Sequence, residues 1–162
     1  FAAVAAAIGI VRPLLLQSMY IFKQPRIGGE VDCHQDSTFL HTDPLSCVGF
    51  WLALEDATEA NGCMWAERGG HRRPLQARFV REGNATRMVT LDPEPLPTRG
   101  LVPLPARKGT LIVLHGQLPH RSGPNISARS RHAYALHLID GACRYSPDNW
   151  LRRSEAMPLR GF

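Results

Sequence analysis

The sequence predicts an all-β fold with only minor helix, in the form of a β-sandwich, a jelly roll or an open barrel. The 162-residue chain carries 14 glycines and 13 prolines scattered without a period, as in turns between many short elements. Several short apolar segments show the residue patterns of strands, and no segment shows helical periodicity over a long stretch. With 44% hydrophobic residues, the chain can bury a core and is expected to fold as a single domain over residues 1–162.

Four segments show the strand pattern, and each is bounded by turn residues. They are residues 14–22, 48–55, 111–114 and 132–139. The first ends at Pro25, the second runs into a turn over residues 56–62, and the last ends at Gly141. In the second segment, large side chains alternate with Gly49 and Ala53, which predicts a strand with two unlike faces.

Residues 66–107 are polar and rich in arginine and proline, which predicts a long loop or an insertion. Prolines recur at every second position from Pro93 to Pro97. Loops of this length inside a compact domain are usually lids over functional sites or are partly disordered. The segment is therefore expected to differ from the regular strands on either side of it.

The net charge of +5 comes from 17 arginines and two lysines against 14 acidic residues, and it raises the question of a nucleic-acid partner. Six of the arginines lie between Arg68 and Arg87, where Phe79 is the only aromatic residue. Nucleic-acid grooves combine phosphate contacts with stacking aromatics, so the stretch is interpreted as a solvated loop face and no nucleic-acid partner is expected. Beside a cleft, the same arginines would attract an anionic small molecule.

Neither the cysteines nor the apolar segments of the chain indicate a secreted or membrane-bound protein. Its four cysteines form no C-x-x-C pair, so neither a zinc ribbon nor a disulfide framework is expected. The apolar segment 1–11 is too short to span a bilayer, and because it begins with Phe1 it is interpreted as the interior of a longer chain. The cytoplasm is the default compartment, no membrane partner is expected, and no oligomeric state is predicted.

The first candidate site is His34-Gln35-Asp36, which follows the glycine pair at residues 28–29. On an extended segment, residues i and i+2 point to the same face, so His34 and Asp36 converge while Gln35 points away. A distant second histidine would complete a face of two histidines and one carboxylate, which suits a non-heme Fe(II) oxygenase. His120, after the third predicted strand, is the candidate. Taken alone, the H-x-D pattern also fits a surface histidine beside a turn aspartate.

The second candidate is Arg131, at the start of the fourth predicted strand. A guanidinium group can bind a carboxylate through two parallel hydrogen bonds. A metal with a nearby arginine matches a 2-oxo diacid, whose keto-acid end chelates the metal and whose far carboxylate meets the arginine. Arg129 is the competing anchor, and the spacing from His120 favours Arg131. The remaining histidines near these strands are interpreted as structural; they are His115, His132 and His137.

Several short motifs occur in a fixed order along the chain. They are QSMYIFKQP from Gln17, GGEV from Gly28, HQD from His34, EDAT from Glu55, NGC from Asn61 and RSR from Arg129. In this order they resemble the phytanoyl-CoA dioxygenase (PhyH) family, most closely its branch of phytanoyl-CoA dioxygenase domain-containing proteins. The likeness extends from about Gln17 to Leu151 and is broken mainly over residues 66–99.

The resemblance implies a double-stranded β-helix, or jelly roll, with Fe(II) as cofactor and 2-oxoglutarate as cosubstrate. The implied metal ligands are His34, Asp36 and His120. The implied cosubstrate-binding residues are Arg131, Ser130, Met19 and Trp51, with Arg131 as the main anchor. Taken alone, Met19 and Trp51 also fit plain core positions. The implied reaction converts 2-oxoglutarate and dioxygen to succinate and carbon dioxide while a small-molecule substrate is oxidised, and the family name with the arginines indicates an anionic acyl-type substrate.

The chain departs from the family pattern in two places. After Cys63, Glu67 and Arg68 replace apolar strand residues, which predicts a shorter or displaced strand, because burying either charge alone is costly. The N-terminal part of the family domain is also expected to be missing, which would leave a partial jelly roll with exposed sheet edges. A non-catalytic jelly-roll binding or interaction protein is therefore the alternative function. A zinc hydrolase with the same ligands is a third, without a base-bearing motif to support it.

Overall fold

The computed structural model describes residues 1–162 and contains twelve strands, one α-helix and two short 3-10 turns. The strands are β1 (Pro13–Lys23), β2 (Val31–His34), β3 (Thr42–Asp43), β4 (Val48–Ala53), β5 (Met64–Ala66), β6 (Ala77–Glu82), β7 (Ala85–Thr90), β8 (Val102–Leu104), β9 (Leu111–His115), β10 (His120–Ser122), β11 (Arg131–Asp140) and β12 (Arg144–Tyr145). The helix α1 covers Ala2–Ala7, and the 3-10 turns cover Asp36–Thr38 and Gly70–Arg72. The predicted all-β class with minor helix is confirmed.

Two four-stranded antiparallel sheets form the body of the fold. The first has the strand order β1-β11-β4-β9, and the second has the order β2-β10-β5-β8. Two smaller antiparallel pairs, β12-β3 and β6-β7, complete the structure. The four strands predicted from apolar segments are the four strands of the first sheet. Trp51 and Leu114 of this sheet meet Met64 of the second in one buried cluster, so the core lies between the sheets, as in a jelly roll.

The middle of the first sheet carries small side chains on its inner face. The residues of β11 that share this face are Arg131, Ala133, Ala135, His137 and Ile139. In the strand register, the Cα of His137 lies between those of Gln17 in β1 and Gly49 in β4. Because the alanines and Gly49 are small, they leave space between the two sheets, and Arg131 and His137 face that space from either side of the alanines.

Part of the outer face of the same sheet is covered by the N-terminal helix. Phe50, Leu136 and Leu138 form an apolar cluster with Ala5 of α1, and both Ala5 and Leu138 are fully buried. The two unlike faces predicted for β4 are therefore observed, with Phe50 packed on the helix side. No helix of the structure combines the length and the apolar character needed to cross a bilayer.

Residues 66–107, predicted as a loop or an insertion, contain the β6-β7 hairpin and the short strand β8. The hairpin is attached to the segment after β12, where the backbone N–H of Arg81 donates to the carbonyl oxygen of Asp148 at 2.8 Å. The side chain of Arg78 also donates to the Asp148 carboxylate. That the segment is an insertion stays a prediction.

Strand β5 has three residues, and that it is shorter than its family counterpart stays a prediction. It ends at Ala66, and the Glu67 carboxylate that follows accepts hydrogen bonds from Nε of Arg73 at 2.6 Å and from Nη2 at 3.0 Å. Both side chains are partly exposed, at 23% and 28%. The strand therefore ends where the first charge appears, and the arginine pairing removes the cost of leaving Glu67 without a partner.

Candidate metal and cosubstrate site

His34, Asp36 and His120 come together on the cavity between the two sheets. One possible ligand atom from each residue lies within 4.8 Å of the others. Oδ1 of Asp36 is 3.5 Å from Nε2 of His34 and 3.8 Å from Nε2 of His120. Two imidazoles and one carboxylate are the donor set that suits Fe(II) in non-heme oxygenases. The residues present therefore fit an Fe(II) ion.

The second sheet makes the two histidines neighbours. His34 is the last residue of β2, His120 is the first residue of β10, and the two are paired in the antiparallel register. Their ring centroids are 4.4 Å apart. Gln35 has an extended backbone, with φ −115° and ψ 130°, so Asp36 falls on the same side as His34, as the H-x-D spacing predicts.

Backbone carbonyl groups fix the orientation of both imidazoles. Nδ1 of His34 is 2.8 Å from the carbonyl oxygen of Asp32, and Nδ1 of His120 is 2.9 Å from that of Leu118. A carbonyl oxygen only accepts, so each Nδ1 carries the hydrogen and each Nε2 keeps a free lone pair. Histidines that bind metals are commonly held in this way, with the nitrogen opposite the metal donating to a carbonyl or carboxylate.

The carboxyl group of Asp36 is held in its ionised form. Burial raises its pKa, but the surrounding imidazoles lower the pKa by more than burial raises it. The pKa therefore lies well below its usual range. An ionised carboxylate is the form that binds a metal cation.

Arg131 is a buried cation without an acidic partner. The residue is 1% exposed, Nε and Nη1 have no hydrogen-bond partner, and the guanidinium carbon lies 5.5 Å from the ring centre of Trp51. Burial lowers its pKa to about 10, which leaves it charged at neutral pH. It lines the same cavity as the three candidate ligands. Because a buried unpaired charge is costly, the cavity is suited to receive a carboxylate at this point.

Lys23 is a second buried cation beside Arg131. It is 3% exposed and lies opposite Arg131 in the β1–β11 register. Its ammonium group donates to the carbonyl oxygens of Gly29 and Gly123, the latter at 2.7 Å. Burial and the charge of Arg131 lower its pKa to about 8. Two neighbouring cations make this part of the fold electropositive.

The cavity has a volume of about 420 Å³ and mostly apolar walls. Met19 and Trp51, two of the predicted cosubstrate-binding residues, lie in its wall. Ser130 is not among the lining residues, and its hydroxyl donates to Oε1 of Glu55 at 3.0 Å. The roles of these three residues in binding the cosubstrate stay predictions.

Two further residues of the cavity wall were not predicted from the sequence. His137, interpreted above as structural, has its Nε2 3.3 Å from Oδ2 of Asp36. Arg121 lines the cavity with its guanidinium carbon 5.9 Å from the ring centre of Trp65. The alternation of β11 could have indicated His137, because it shares a strand face with Arg131.

Gln35 points away from the candidate ligands and is fully buried. Its Nε2 donates to the carbonyl oxygens of Pro74 at 3.1 Å and Gln117 at 2.8 Å, and its Oε1 accepts from the N–H of Gln76 at 2.9 Å. We expect Gln35→Leu to lower the free energy of unfolding by about 3 kcal/mol or more, because each buried backbone group left without a partner costs about 1–3 kcal/mol. Urea unfolding measures this, with Gln24→Leu at an exposed glutamine as the control. Equal unfolding midpoints for the two variants would contradict it.

Gly49 leaves little room for a side chain beside Asp36. A Cβ at this position would lie 3.0 Å from Oδ2 of Asp36 and 3.4 Å from Nε2 of His137. We expect Gly49→Ala to displace the carboxylate and to weaken Fe(II) binding about 10-fold, at the lower end of the effects seen when the surroundings of a ligand are disturbed. Gly29→Ala is the matched control, since nothing lies within 4 Å of a Cβ there. Identical anaerobic Fe(II) titrations of the two variants would rule this out.

The chain is similar to known proteins along most of its length. Residues 2–133 match the family model described as phytanoyl-CoA dioxygenase (PhyH). A protein named phytanoyl-CoA dioxygenase from Arabidopsis thaliana is 46% identical over 159 residues, which cover 96% of this chain and 55% of that protein. Phytanoyl-CoA dioxygenase domain-containing protein 1 from Bos taurus is 45% identical over 162 residues, which cover 97% of this chain and 56% of that protein. The chain thus spans about half the length of these curated relatives.

Solved structures share the fold. AviO1 from Streptomyces viridochromogenes Tue57 aligns with a TM-score of 0.70 and 25% identity over 90% of this chain and 59% of that chain. EvdO2 from Micromonospora carbonacea var. aurantiaca, complexed with 2-oxoglutarate, aligns with a TM-score of 0.59 and 25% identity over 84% of this chain and 57% of that chain. These alignments confirm the predicted jelly-roll fold.

Proposed function

The chain belongs to the phytanoyl-CoA dioxygenase family, as its motifs predict, and we propose that it is an Fe(II)- and 2-oxoglutarate-dependent dioxygenase. The observation that carries the proposal is one cavity lined by both a His-Asp-His cluster and an unpaired buried arginine. His34, Asp36 and His120 would hold Fe(II). Arg131 would bind the far carboxylate of 2-oxoglutarate. The alternative, a non-catalytic jelly-roll binding protein, would have no use for this combination.

The residues around the cavity provide binding and orientation for this reaction. When bound, Fe(II) supplies the chemistry by which 2-oxoglutarate and dioxygen are converted to succinate and carbon dioxide while a substrate is oxidised. The carbonyl groups of Asp32 and Leu118 hold the two imidazoles with Nε2 free. Ionised Asp36 supplies the negative charge, and the walls of the cavity are mostly apolar.

The substrate that we propose is an anionic acyl-type molecule. An apolar wall lies close to the ligands, since the ring centroid of Phe39 is 6.0 Å from that of His34 and Trp150 lines the same cavity. Arg121 supplies a positive charge in the wall, and its Nε has no hydrogen-bond partner. An apolar chain with an anionic group would match both features.

Anaerobic titration with Fe(II) and 2-oxoglutarate tests the proposal. We expect the optical charge-transfer band of a metal-bound 2-oxo acid to appear when both are added and with neither alone. Succinate is the matched control ligand, because it keeps the two carboxylates but lacks the keto group that chelates the metal. A chain that is folded by circular dichroism and gives no band would contradict the dioxygenase and favour the non-catalytic alternative.

A further inference from the structure

A chain of polar contacts leads from the first sheet to the second oxygen of the Asp36 carboxylate. Nε2 of Gln17 lies 3.3 Å from Nδ1 of His137, and Nε2 of His137 lies 3.3 Å from Oδ2 of Asp36. His137 and Asp36 are each 5% exposed. Oδ2 is buried and has no hydrogen-bond partner, and Nε2 of His137 is the ring nitrogen placed beside it.

The contacts also determine where the hydrogen of His137 lies. The amide nitrogen of Gln17 only donates, so Nδ1 of His137 accepts, and the hydrogen of the neutral imidazole is on Nε2. That N–H faces Oδ2 of Asp36. The two oxygens of the carboxylate therefore have different partners, with Oδ1 facing the other two candidate ligands and Oδ2 facing His137.

We propose that His137 is a positioning residue of the metal site and that Gln17 selects its tautomer. His137 holds Oδ2 of Asp36 and thereby turns Oδ1 toward Nε2 of His34 and Nε2 of His120, so that the carboxylate offers one oxygen to the metal. The inference rests on the proposed function, because it requires that Asp36 is a metal ligand.

The surroundings of His137 set it apart from an ordinary core residue. On the inner face of β11 it follows the small residue Ala135, and the residue beside it in β4 is Gly49, where a Cβ would approach both His137 and Asp36. An apolar side chain at position 137 would leave Oδ2 buried without a donor, which is costly. Groups that orient a metal ligand typically account for about 10- to 100-fold in metal affinity.

Fe(II) binding by two variants of His137 tests the proposal. We expect His137→Leu to weaken anaerobic Fe(II) binding about 10- to 100-fold, because the carboxylate loses its donor. His137→Gln should restore most of this affinity, since its amide N–H can reach the place of the imidazole Nε2. His132→Leu is the matched control, because His132 lies on the opposite face of β11 and contacts Tyr20. Folding of each variant is checked by circular dichroism.

The outcomes separate this inference from the proposed function. If the parent chain and His137→Leu bind Fe(II) equally well, the positioning role is wrong while the metal site stands. Failure of His137→Gln to improve on His137→Leu would also overturn it, because the effect would then come from packing. If the folded parent chain does not bind Fe(II), both proposals fall.

The tautomer gives a second readout that needs no metal. In ¹⁵N spectra of the seven histidines, the signals of His137 are assigned by their loss in His137→Gln. We expect hydrogen on Nε2 and a lone pair on Nδ1, and Gln17→Leu should reduce this preference. Hydrogen on Nδ1 in the parent chain would overturn the proposal.

Discussion

Asp36→Ala is expected to abolish Fe(II)-dependent formation of succinate from 2-oxoglutarate and to weaken Fe(II) binding more than about 100-fold. Loss of a group that only orients a metal ligand already lowers metal affinity about 10- to 100-fold. Asp36 would be a ligand itself, so its loss should lower the affinity by more. It is also the only carboxylate in the cluster, so its loss leaves two neutral imidazoles and no negative charge to balance the metal. Succinate assays and anaerobic Fe(II) titration measure the two effects.

Asp32→Ala is the matched control for this variant. Asp32 is an exposed aspartate on the other side of His34, and it holds the imidazole through its backbone carbonyl, which the substitution keeps. We expect this variant to form succinate at the rate of the parent chain. Succinate formation by Asp36→Ala at that same rate would show that the carboxylate ligand lies elsewhere.

Three strands of the first sheet, β1, β4 and β11, could be predicted from the sequence because they are long enough to show a period of two, and β9 could be predicted from its continuous apolar run. β1 has 11 residues and β11 has 10, and each ends at turn residues. The strands β5, β8 and β10 of the second sheet have three residues each, which is too short to distinguish alternation from chance. They are defined by pairing with neighbours that are distant in the chain, and a single sequence does not show that pairing.

The β6-β7 hairpin cannot be predicted from the sequence for a different reason. All but one of the residues of β7 are exposed, so the strand has no buried face and carries no apolar alternation. The prolines and arginines around it are typical of loops, so the composition predicts a loop there. Backbone pairing and contacts to residues 146–150, which the composition does not reveal, define the hairpin.

The candidate site was predictable to the extent that it depends on local geometry. The convergence of His34 and Asp36 follows from the spacing of two residues on an extended segment, and the structure shows it. The approach of His137 to Asp36 depends on how the two sheets pack, since His137 lies in the first sheet and Asp36 begins the 3-10 turn that follows β2 of the second. A histidine in an alternating strand cannot be distinguished from a core residue until that packing is known.

Arg131→Leu is expected to raise the 2-oxoglutarate concentration for half-maximal succinate formation by about two to three orders of magnitude, the loss typical of a buried charge pair. The guanidinium is buried with two nitrogens unpaired, so the far carboxylate would lose its partner in a cavity with mostly apolar walls. Fe(II) binding without 2-oxoglutarate should stay at the level of the parent chain, because Arg131 does not belong to the ligand cluster. This contrast separates the anchor from the metal site.

The control for this variant is Arg129→Leu, two residues earlier at an exposed position. If Arg129→Leu raises the 2-oxoglutarate requirement and Arg131→Leu does not, then the anchor is Arg129. Lys23, the other buried cation nearby, is held by the carbonyl groups of Gly29 and Gly123 and is not free to take over the carboxylate. Arg131→Lys should therefore recover only part of the affinity, because an ammonium group restores the charge but cannot form the two parallel hydrogen bonds of a guanidinium.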